Sequence, residues 1–179
     1  MVGVAGGKRV IVAQVVADYG GRIQTSYRIG PEAATVDVKS PFGAFQLAGK
    51  VTAGKLVVTG SDATGKPVSL TAPLPAGAFL SDPGIGGSIM LAEKLAGMKV
   101  GDKRALASLE IGTFPATAIV ATTYDVERQP DANGHRVFAV TTKVDKNVAT
   151  GALELDGDGF VVSRKVGGPF EVVITRRAP

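Results

Sequence analysis

Apolar and polar residues alternate with a period of two along most of this chain, and few folds tolerate that pattern. Ile23, Thr25, Tyr27 and Ile29 interleave with Arg22, Gln24, Ser26 and Arg28; Phe45, Leu47, Gly49 and Val51 interleave with Gln46, Ala48 and Lys50. Ala116, Ala118, Val120, Thr122 and Tyr124, and later Phe170, Val172 and Ile174, repeat the pattern. Successive side chains of a strand point to opposite faces, so each run describes a strand with one dry and one wet side. Between the runs stand Gly20-Gly21, Gly30-Pro31, Ala53-Gly54, Thr64-Gly65, Asn133-Gly134, Asp158-Gly159 and Gly167-Gly168, which are tight-turn dipeptides. Glycine supplies 24 of the 179 residues, about twice its average usage, as a chain of turns requires.

The runs predict ten to twelve strands, near residues 8–19, 22–29, 34–39, 44–51, 55–60, 67–71, 103–111, 116–127, 136–144, 150–155, 160–165 and 169–176. Nearly all connections are short, so neighbours are antiparallel and the sheet is a meander. Length favours one domain over 8–179, behind a glycine-rich tether at 1–7. Only the stretch after the Pro/Gly-rich segment 73–87 departs from period two. There Ser88 caps a short helix near 88–97, Leu91 and Leu95 share one face, and Gly97 ends it. A helix of about ten residues does not persist alone in water, so it docks on the apolar side of the sheet. The expected fold is mainly β, a single curved antiparallel half-barrel or incomplete barrel enclosing that helix. A closed barrel and a two-sheet sandwich are the alternatives.

Composition excludes several chemistries. Without cysteine there is no disulfide scaffold, thiolate metal site or thiol nucleophile, and one histidine cannot build a histidine-rich metal centre. The net charge of +4 is spread without a basic block, and aromatics are 6%, which argues against a nucleic-acid partner. No apolar run has the length of a transmembrane segment. Lys8 to Ala17 has the outline of a signal peptide, but Gln14 interrupts it and Asp18 follows it. It reads as a strand that is apolar on both faces.

Five constellations have a chemical reading. Asp156-Gly-Asp-Gly-Phe160 mimics the centre of a calcium loop, but Lys165 stands where the bidentate glutamate belongs. It reads as a hairpin turn, and neither a metal nor a cofactor is expected. Gly84-Ile-Gly-Gly-Ser88 lacks the lysine of a phosphate loop and reads as a linker. His135, beside Asn133-Gly134, reads as an exposed loop residue, and the carboxylates Asp37, Glu110, Asp125, Glu127 and Asp145 read as wet-face strand positions. If the first and last strands pair, Lys8 and Arg9 meet Arg176 and Arg177 in a cationic corner for anionic headgroups, or for edge protection.

Leu91-x-x-x-Leu95-Ala-Gly97-Met-Lys-Val-Gly101-Asp102, then a strand, a long hairpin with Asn133-Gly134, and Leu155-Asp-Gly-Asp-Gly159-Phe-Val-Val resembles bacterial cell-envelope proteins of unknown function. Their fold is similar to the outer-membrane lipoprotein carrier, a half-barrel with a helix on its concave side. The likeness covers roughly residues 88–176 and, more loosely, the first half of the chain. It implies a periplasmic or secreted protein, whose signal peptide is not in this sequence, and it brings no catalytic residues. The expected function is therefore non-enzymatic: an acyl chain or other apolar ligand held in the concave face by Ile89, Leu91, Leu95, Phe45, Leu47 and Val120. The alternative is a structural or protein-interaction module, with an envelope protein as partner, whose helix fills the concavity.

Overall fold

A computed structural model describes residues 2–5, 8–18, 22–41, 43–81, 85–112, 117–167 and 171–173. The chain is mainly β with one short helix. The first seven strands are β1 (Val2–Ala5), β2 (Lys8–Asp18), β3 (Arg22–Ile29), β4 (Ala33–Ser40), β5 (Gly43–Thr52), β6 (Lys55–Ser61) and β7 (Pro67–Pro73). They form one antiparallel meander in sequence order. After β8 (Phe79–Ser81) and helix α1 (Ile85–Lys94) come β9 (Lys103–Gly112), β10 (Ala118–Ala132), β11 (His135–Val144), β12 (Asn147–Leu155), β13 (Val161–Val166) and β14 (Glu171–Val173). These strands form a second sheet ordered β14-β13-β12-β11-β10-β9-β8. Each of the twelve expected runs contains a strand. The single curved sheet expected from the alternation is divided into two.

The division comes from β8, which the alternation does not predict. Its three residues pair in parallel with β9, Leu80 opposite Leu109 and Ser81 opposite Glu110. Parallel strands need a crossover, and α1 is that crossover. Residues 2–5, expected as a tether, are instead an edge strand with Val2 opposite Ile11 and Val4 opposite Arg9. The β-branched alternation of Val2 and Val4 suits pairing on a strand that is apolar on both faces. In that pairing Lys8 faces Ala5 and Arg9 faces Val4. Arg176 and Arg177, the other half of the expected cationic corner, lie outside the described residues.

The chain folds as two compact units, Met1–Gly86 with Ser108–Val120, and Gly87–Ala107 with Ala121–Pro179. In the first, Ala34, Val36 and Val38 of β4 alternate inward with Leu47, Leu56 and Val58 of the following strands. Leu80, Leu109 and Ile111 complete that core.

In the second unit the sheet curls into a half-barrel. Tyr124, Val126, Phe138, Val140, Leu153 and Leu155 are buried along it. The sequence predicts a helix from Ser88, but α1 starts at Ile85 and includes Gly86 and Gly87. Two glycines cost helix propensity, so burial of the helix, rather than propensity, extends it. Ser88 is therefore not the cap. It is buried within the helix, where its hydroxyl accepts a bond of 3.0 Å from Nη1 of Arg164 on β13. The Lys94 carbonyl at the other end accepts from Arg104. Gly97 adopts φ +79° beyond the helix, as expected. Farther on, Asp102 accepts from the Lys99 amide at 2.7 Å, while Gly101 and Asp102 exchange backbone bonds with Arg128. That is how the Gly-Asp step delivers the chain into the sheet.

Candidate functional site

Phe45 on β5 and Val68 and Leu70 on β7 occupy inward positions of their strands, yet each stays only partly buried against the core of the first unit. β7 is the edge of its sheet, and among the described residues no further strand pairs with it on that side. Leu47, Gly60 and Val68 stand opposite one another across β5, β6 and β7, leaving no side chain in the middle of the row. Gly60 cannot be replaced cheaply: its φ is +150°, and a Cβ there would lie 1.9 Å from the Gln46 carbonyl oxygen. Beside this edge lies a cleft of about 510 Å³ with Phe45, Val68 and Leu70 among its lining. Pro67 and Thr117 also line it. The Thr117 hydroxyl is buried and has no hydrogen-bond partner among the described residues.

The β6–β7 turn gives the cleft a polar side. Asp62 Oδ1 accepts from the Thr64 amide at 2.8 Å, the Thr64 hydroxyl at 2.8 Å and the Lys66 amide at 3.0 Å. The Asp62 carbonyl accepts from Gly65, which adopts φ +79°. The Thr64 hydroxyl, followed by its amide, holds the Asp62 carboxyl below the ordinary aspartate range.

The same turn recurs between β12 and β13. Asp156 Oδ1 accepts from the Asp158 and Phe160 amides at 3.0 and 2.8 Å, and Gly159 adopts φ +89°. The calcium-like sequence is thus a hairpin turn whose first carboxylate is engaged by its own backbone. Among the described residues no group of three or more His, Cys, Asp or Glu is gathered.

A second cleft, about 410 Å³, lies on the second unit near Lys103, Asp125 and Glu127. Its carboxylates are paired, Glu127 with Lys103 at 3.4 Å and Asp125 with Lys143 at 2.7 Å, and Arg104 donates to the Lys94 carbonyl. Such a ladder of exposed pairs suits a solvated face. Another expected carboxylate, Glu110, is buried, with the Ser108 hydroxyl donating to it at 3.4 Å.

His135 departs from its expected exposure. It opens β11, is 31% exposed, and sets Nδ1 3.5 Å from Glu154 Oε2. The turn at Asn133 and Gly134 (φ +54° and +77°) is as expected, but the diagonal neighbour across β11 and β12 partly covers the ring. A part-exposed pair contributes little, so His135→Ala is expected to cost less than about 1 kcal/mol in urea unfolding. A loss of several kcal/mol would place the ring in the core.

The six apolar residues expected to hold a ligand fall three to each unit. Phe45 lines the cleft, Leu47 lies in the core of the first unit, and Val120 is half-buried. Ile89 is half-buried, while Leu91 and Leu95 are fully buried on or just beyond α1. Val68, Leu70, Asp62 and Thr117 were not singled out by sequence. The alternation of Val68 and Leu70 was visible, but not that their strand is an edge. No known protein family matches this sequence, and neither a curated protein nor a solved structure matches the chain.

Proposed function

We propose that this protein binds a single alkyl or acyl chain, without transforming it, in the cleft of its first unit. One observation carries this reading: Phe45, Val68 and Leu70 continue the hydrophobic core out to solvent along an open edge. Burying that surface under an apolar chain is favourable at about 25 cal/mol per Å². The volume of about 510 Å³ suits a small-molecule site, for which about 300–1,000 Å³ is usual. An envelope location, taken from the resemblance of residues 88–176, accords with such a ligand.

The site moves from the face expected on sequence. Full burial of Leu91 and Leu95 favours a helix that fills the second unit, which is the structural alternative applied to that unit alone. The first unit is then the binding part.

A solvatochromic apolar dye tests this directly. Phe45→Ala is expected to weaken dye binding about tenfold, the equivalent of about 1.4 kcal/mol of lost contact. Val148→Ala, at an exposed position of the second unit, is expected to change nothing. Equal binding by wild type and Phe45→Ala would remove the cleft from consideration.

A further inference from the structure

We infer that the chain held in this cleft carries a cationic head group, an amine or its equivalent, rather than a carboxylate or phosphate. The inference rests on the proposed binding of an apolar chain and specifies which amphiphile the cleft accepts. Of the described residues that line the cleft, Asp62 alone is ionisable; the others are apolar or carry only hydroxyls. The protein as a whole is basic, at +4, yet this cleft presents a negative charge and no cation.

Asp62 is also built as an acceptor. Its Oδ1 takes three hydrogen bonds from the turn, which fix the carboxylate in place, and none of the three uses Oδ2. The Thr64 hydroxyl and amide favour the ionised form. The charge of Lys66 also favours the ionised carboxylate, but Lys66 is exposed, absent from the lining, and the smallest of the influences on Asp62. An ammonium group at the rim would meet Oδ2 through a charge-assisted bond, with its alkyl chain along Val68 and Leu70. A carboxylate there would find no cation in the lining and would be repelled by Asp62.

Decylamine, decanol and decanoate share one chain and differ in head charge; at pH 7 the amine is protonated and the acid ionised. Each is titrated into the full chain by calorimetry at low salt, below its micellar concentration. Amine is expected to bind tightest and carboxylate weakest, with about a tenfold gap between them. The gap should narrow in high salt and close in Asp62→Asn, which keeps an oxygen acceptor for the turn. Ser69→Lys, at an exposed lining position, should invert the order, so the inference remains testable if Asp62→Asn fails to fold. Equal affinities, or preference for decanoate, would overturn the cationic head while leaving the cleft intact. If none of the three binds, or if Phe45→Ala leaves all three unaffected, the cleft itself is wrong and the head-group inference falls with it.

Discussion

Leu95→Ala is expected to destabilise the protein by about 2–5 kcal/mol, the cost of emptying a leucine-sized volume in a packed core. Leu95 is 0% exposed, one residue past the end of α1, and its amide bonds back to Ala92 at 3.1 Å. The helix is held near both ends, by Arg164 at Ser88 and by Arg104 at the Lys94 carbonyl. It therefore cannot slide far to refill the space, and the cavity term persists. A urea midpoint shift at unchanged slope would report the loss. A removable helix behaves differently: the loss would stay below about 1 kcal/mol, small for a buried leucine, and uptake of an apolar dye would rise as the concave face opened. That pair of results would return the ligand to the second unit and displace the cleft at Phe45.

The sequence conveyed local structure more faithfully than long-range pairing, for identifiable reasons. Alternation located strands such as β4, because Ala34, Val36 and Val38 bury on one face. The turns at Thr64-Gly65 and Asp158-Gly159 are readable because each closes on bonds within five residues. Helix α1 was placed three residues late, since Gly86 and Gly87 oppose helix formation locally and only burial overrides them. β8 was unreadable. All three of its residues are buried, so it shows no alternation, and its partner lies beyond the helix. Missing it merged two sheets into one. The cleft is illegible for a related reason: it borders β7, whose place at the edge of its sheet is set by long-range pairing. A lone aspartate in a turn carries no sign that it also borders an apolar cleft.

Phe138→Ala is expected to be the most damaging single truncation in the second unit, at about 3–5 kcal/mol. Phe138 is 0% exposed and stands opposite Arg128 in the β10–β11 register. Arg128 is itself only 5% exposed, with its guanidinium carbon 5.1 Å from the centre of the phenylalanine ring. A buried cation requires partners. Arg128 donates to the Gln129 and Val137 carbonyls and to Asp131, but Asp131 is 61% exposed and Arg128 Nε has no partner among the described residues. The ring face therefore supplies part of what solvent would have given. Desolvated cation–π contacts of this kind contribute about 2 kcal/mol. Removing the ring leaves both a cavity and a less compensated guanidinium, which places the cost toward the upper end. Arg128→Met, which removes the charge but keeps the stem's packing, should cost less than Phe138→Ala. In a double-mutant cycle the pair should couple by about 1 kcal/mol or more. Additive losses would mean that Phe138 acts only by filling space and that Arg128 is held by its carbonyl bonds alone.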